Sequence, residues 1–128
     1  MRRHNPDGIS PPLGAYSHGV EVPAGARRLY ISGQVGVRQD GTVPDDSEEQ
    51  MEVAWANIHA ILASAGMTAD DIVKVTTLIT NPDDFAVHPK VRNRHMGDNR
   101  AAATAFVVPA LAKPEFKVEI EAVAARSD

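Results

Sequence analysis

The sequence contains no cysteine. That excludes disulfides, thiolate metal sites and cysteine nucleophiles, and it is consistent with a reducing, cytoplasmic compartment. No apolar run reaches the length of a membrane span, and Met1-Arg2-Arg3-His4-Asn5-Pro6 is not followed by the apolar stretch of a signal peptide. A basic excess is also missing. The formal net charge is −4, which argues against a nucleic-acid partner, because neutralising phosphates takes many cations. The five histidines show no H-x-H or H-E-x-x-H spacing, so no metal site is expected. No internal repeat or low-complexity tract interrupts the chain.

What remains is 128 residues, 43% of them hydrophobic. That is enough for one domain, residues 1–128, with a real core, and too little for two. The last segment carries the strongest strand pattern. Val118, Ile120, Ala122 and Ala124 alternate with Glu119, Glu121 and Val123, giving a strand with one apolar face. Glu119 and Glu121 share the other face. Either that face is solvated, or one glutamate lines a cleft and handles a proton.

Residues 1–14 read as an irregular lead-in. Ala15 to Val22 and Arg28 to Gln34 read as two strands joined by the turn chemistry of Pro23-Ala24-Gly25-Ala26, and so short a connection predicts an antiparallel hairpin. Gly33 permits a bulge or a close backbone approach by a ligand. Ser47-Glu48-Glu49-Gln50 has the pattern of a capping box. The helix after it presents Met51, Ala54, Trp55, Ile58, Ile61, Leu62 and Ala65 on one stripe. Trp55 is its core anchor, and His59 falls on the solvated side. Gly66 suits a left-handed cap, with Met67 packing back. Ile72 to Thr80 is a third strand. A second helix follows Asn81-Pro82, short at its start or kinked at Pro89, and fades by Gly97. Residues 98–103 form a loop, Thr104 to Val108 a fourth strand, and the glutamate strand closes the chain.

The order β-β-α-β-α-β-β predicts an α+β sandwich, with both helices on one face of a mixed sheet and a hairpin at each end. The uncovered sheet face suggests oligomerisation through that face.

Several stretches together resemble the RidA family, also called YjgF-like or reactive-intermediate deaminase proteins. They are Gly14-Ala15-Tyr16-Ser17-His18-Gly19, Ile31-Ser32-Gly33-Gln34, the Gln50 to Gly66 helix, Asp71 to Thr76, Asp84-Phe85-Ala86, and Val118 to Ala124. They follow the family order over nearly the whole length. The resemblance implies a chorismate-mutase-like fold and a homotrimer whose sheets form a central barrel, with clefts between subunits. It implies hydrolysis of enamines or imines such as 2-aminoacrylate, with release of ammonia and no metal or organic cofactor. Glu119 matches the family glutamate that activates water, a task that suits a carboxylate. Tyr16 matches a cleft tyrosine, and Ser32 and Gly33 match the strand end that meets substrate.

One part of the family pattern is missing. The deaminases carry an arginine at the start of the fourth strand, where its fork grips the substrate carboxylate. The matching position here is Ala103. The cysteine two positions beyond is Ala105, and the helix-two asparagine is Pro89. Arg100, three residues before Ala103, is the nearest substitute. Two expectations follow: a hydrolase of imine-like small molecules in which Arg100 or a basic residue of a neighbouring subunit replaces the clamp, with turnover of 2-aminoacrylate itself weak or absent, or a small-molecule-binding or chaperone-like protein that has lost the deaminase reaction.

Overall fold

In chain order the elements are β1 (Arg2–His4), β2 (Gly19–Glu21), β3 (Arg27–Val35), α1 (Ser47–Ser64), β4 (Ile72–Ile79), α2 (His88–Met96), β5 (Ala102–Val107) and β6 (Val118–Arg126). The computed structural model describes residues 1–128. The expected β-β-α-β-α-β-β order is present, preceded by the three-residue β1.

Alternation in β6 organises the sheet. Val118, Ile120, Ala122 and Ala124 are buried toward the helices, and β6 lies between β3 and β4, antiparallel to both. β5 runs parallel to β4 at the edge, completing the order β3-β6-β4-β5. Against this sheet α1 packs Met51, Ala54, Trp55, Ile58 and Leu62, all almost fully buried. Trp55 is 1% exposed, as its place in the stripe predicts. Gly66 takes a φ of 68° at the end of α1, and the Met67 amide returns to the Leu62 carbonyl at 2.9 Å. No helix is long and apolar enough to cross a membrane.

Both predicted hairpins are absent. β2 pairs with β1, Arg2 opposite Glu21 and His4 opposite Gly19, in a separate two-stranded sheet. The reason lies just upstream. Ser17 is buried and bridges to Ala102 on β5, while β3 occupies the opposite edge of the sheet, so the segment entering β2 is already committed away from β3. The C-terminal hairpin fails because β6 inserts between β3 and β4, leaving β5 only the outer edge of β4.

Two local readings also change. The N-cap of α1 is Asp46, whose side chain accepts the Glu49 amide at 3.0 Å. Ser47 instead donates to Asp84 at 2.9 Å. Gln50 is pulled inward, where it donates to the Pro44 and Glu115 carbonyls and accepts the Lys117 amide. Three good bonds satisfy a buried amide better than one reciprocal cap would. His59 is not solvated. It is half-buried, 2.9 Å from His95, whose other ring nitrogen meets Glu52 at 2.7 Å while its ring stacks on Trp55. The second helix is divided rather than kinked: a 3-10 turn spans Pro82–Ala86, and α2 restarts at His88 with Pro89 in its first turn, where a missing amide hydrogen costs nothing.

Candidate functional site

A cavity of about 630 Å³ lies on the helix side of the sheet, between α2 and the β4–β5 edge. Its floor is Val75, Thr77, Ala103 and Ala105. Small residues on β5 keep that floor low, since Ala103 and Ala105 present only methyl groups. One wall comes from the lead-in. Ser17 donates its amide to the Ala101 carbonyl at 3.1 Å and its hydroxyl to the Arg100 carbonyl at 2.5 Å. Those bonds hold Tyr16 beside the start of β5, and its phenol oxygen accepts the Leu13 amide at 3.1 Å.

The opposite wall is the start of α2. His88 and Arg92 are four residues apart, so they project from one helix face, and both line the cavity. His88 is buried, with Phe85 edge-on at 5.8 Å. Burial, reinforced by the nearby Arg92 charge, pushes its pKa down to about 4, so the ring is neutral at neutral pH. Arg92 is half-buried. Burial, and secondarily the charge of Arg100, pulls its pKa below the usual guanidinium range. Its hydrogen bonds reach only the neighbouring Asn93 side chain, at 3.3 Å, and it enters no ion pair.

The carboxylate-bearing region is on the far face of the sheet. Glu119 stands opposite Val35 on β3 and Leu78 on β4, and points away from the helices with Glu121. It is half-exposed. β3 shifts register between Ile31 and Gln34, so Ser32 and Gly33 form an irregularity beside it. A Cβ on Gly33 would fall 2.7 Å from both Cδ and Oε2 of Glu119. The close approach that Gly33 allows is therefore made by the Glu119 side chain. A second hollow, about 370 Å³, lies on this face between Tyr30, Ser32, Lys74, Thr76, Glu121 and Val123. Lys74 donates to Thr104 across it at 2.8 Å.

The structure thus sorts the residues named from sequence into two groups. Tyr16 and Ala103 meet in the helix-side cavity; Ser32, Gly33 and Glu119 meet on the far face. Arg100 joins neither. Its guanidinium donates to the Gly97 carbonyl at 2.8 Å and the Asn99 carbonyl at 3.3 Å, closing the end of α2. His88 and Arg92 were not singled out from sequence. Their i,i+4 spacing on the predicted second helix was the one available signal.

Residues 8–126 match the family described as Endoribonuclease L-PSP. A 2-iminobutanoate/2-iminopropanoate deaminase of Rattus norvegicus is 34% identical over 114 residues, 88% of this chain and 80% of that protein. Among solved structures, YyfB from Yersinia pestis, a protein of the conserved Rid family, superposes with a TM-score of 0.87 at 34% identity, covering 98% of each chain. TdcF of Escherichia coli with bound serine superposes with a TM-score of 0.74 at 30% identity, covering 99% of this chain and 100% of that one.

Proposed function

The chain belongs to the Endoribonuclease L-PSP family, the RidA/YjgF proteins, and from that premise we propose that it hydrolyses small enamine or imine acids in a cleft that a second copy of the chain completes. The observation that carries the reading is the split itself. Glu119 stands on one face of the sheet and the Tyr16–Ala103 cavity on the other, so one protomer holds two half-sites that cannot meet. A neighbour that lays its far face beside this cavity unites them. A homotrimer with a central barrel does this three times. The far face has the character for it, with Tyr30 73% exposed and Phe106 43% exposed, as an interface needs. The names borne by related proteins supply the substrate class, a 2-imino acid.

The chemistry balances without a further reagent. Glu119 accepts a proton from water as the oxygen adds to the imine carbon. An enamine first tautomerises to the imine. The proton taken from water reaches the nitrogen to give a carbinolamine. Its hydroxyl then yields the second proton to the leaving nitrogen as the carbonyl forms, the carbon–nitrogen bond breaks, and an oxo acid and ammonia leave. A half-exposed carboxylate free of any ion pair suits the first step. RNA is a poorer fit as substrate, because a phosphate backbone calls for a track of cations and the cavity offers one.

The test is ammonia and oxo-acid release from 2-aminoacrylate generated in situ. The hydrolase reading expects turnover, and a fall of about 10²–10⁴-fold in Glu119→Gln with binding preserved. The second reading, a binding or chaperone-like protein, draws on Ala103, which removes the family's clamp from β5. It would be supported by ligand binding with no turnover in the wild-type chain.

A further inference from the structure

The helix-side cavity holds a single charged side chain, Arg92, and no carboxylate lines it. A half-buried guanidinium without an ion-pair partner is an unfavourable arrangement unless an anion completes it. Every other polar side chain there is neutral: the Tyr16 phenol, the Thr77 hydroxyl and the His88 imidazole. His88 is uncharged at neutral pH, so it does not compete for an anion. Arg100 is spent on two backbone carbonyls at the end of α2, and its charge acts on Arg92 as a like neighbour rather than a partner.

We propose that Arg92, projecting from α2, is the carboxylate-binding residue of this cavity, and that it takes over from the opposite wall the role for which β5 offers only Ala103. The occupant is a short organic acid. Its carboxylate meets the Arg92 fork, and its polar carbon lies toward His88 and Tyr16. Its alkyl end packs between Phe85 and Leu13. The geometry explains why both changes are compatible. A guanidinium entering from α2 needs open space above β5, and Ala103 and Ala105 leave that space. The assignment rests on the cavity being the substrate-binding half of the proposed deaminase site, yet it concerns binding alone and stands or falls separately from turnover.

The experiment is a pairwise titration with 2-oxobutanoate and its uncharged amide, followed by the backbone amide shifts of Val75, Thr77 and Ala105. Wild-type protein should favour the acid by roughly 10- to 100-fold, the range of charge-assisted hydrogen bonds. Arg92→Ala should erase that preference while keeping the amide's affinity. Arg92→Lys should restore part of it, because an ammonium brings charge without the fork. Arg100→Ala should leave the preference intact. A preference that survives Arg92→Ala, a preference lost in Arg100→Ala, or no shift with either probe in the wild type overturns the assignment. Glu119→Gln separates the two proposals. If it titrates like wild type and the wild type still fails to release ammonia, the anion site stands and the hydrolase reading falls.

Discussion

The two cavities lie on opposite faces of the same four strands, and they differ in charge, cover and what they lack. The helix-side cavity is walled by α2 and by the lead-in that Ser17 pins to β5. It contains one unpartnered cation, one neutral imidazole and no carboxylate. The far face is open. It carries Glu119 and Glu121, with Lys74 bonded to Thr104, and its rings at Tyr30 and Phe106 are exposed. One hollow is lined by a cation and no carboxylate; the other, about 370 Å³, lies on the face that carries Glu119 and Glu121. On the reading proposed above, the groups for binding and for proton transfer are divided between the two faces, so neither face alone holds both.

The strongest way to break this comparison is to keep the copies apart. Tyr30 is 73% exposed on the far face of the edge strand β3, where the proposed assembly would cover it, so Tyr30→Asp should leave the fold intact and yield a monomer by light scattering. Turnover should fall by about 100-fold or more, because the water-activating group no longer reaches the ligand. Binding of a short carboxylate in the helix-side cavity should persist. A monomer with full turnover would show that each chain's two faces need no partner.

The next effect is read by pH. His88 has its folded-state pKa pushed down to about 4 by burial, whereas in an unfolded chain it titrates near 6.5. Below that value the unfolded chain binds more protons, so stability falls as pH drops from about 6.5 toward 4. The loss attributable to His88 should reach about 3 kcal/mol at the lower end, and His59, also shifted down by burial, adds in the same direction. The urea midpoint of the wild type should fall relative to that of His88→Phe as pH drops from about 6.5 toward 4. Parallel curves would mean that His88 is not held neutral in the fold.

The smallest expected effect sharpens the far-face half. Gly33→Ala places a methyl group where Glu119 now lies, 2.7 Å from its carboxyl carbon. The backbone there tolerates alanine, so the cost is displacement of the carboxylate rather than strain in the strand. Turnover should drop by about tenfold with anion binding unchanged. If the anion affinity moves instead, Gly33 belongs to the ligand's wall.

Much of this protein is written in local chemistry. The alternation of β6 sets which face of that strand is buried, because side chains on a strand point to opposite sides whatever the strand pairs with. The apolar stripe of α1 and the glycine at its end likewise follow from helical geometry, and the same patterns carried the family resemblance that the fold bears out.

Other features depended on which segments lie side by side. Ser17 reaches Ala102, 85 residues along the chain, and so turns β2 toward β1. Gln50 leaves its predicted capping role because Pro44, Glu115 and Lys117 converge on it from three directions. The choice between Arg100 and Arg92 was of the same kind. Arg100 is nearer to Ala103 along the chain, but its fork is drawn to the carbonyls left open at the end of α2. Arg92 is eleven positions from Ala103, yet the rotation of α2 against the sheet aims it into the cavity. Closeness in sequence says how soon the chain returns to a place. Which side chain faces that place is decided by packing, because the orientation of a helix is set by the surface it buries.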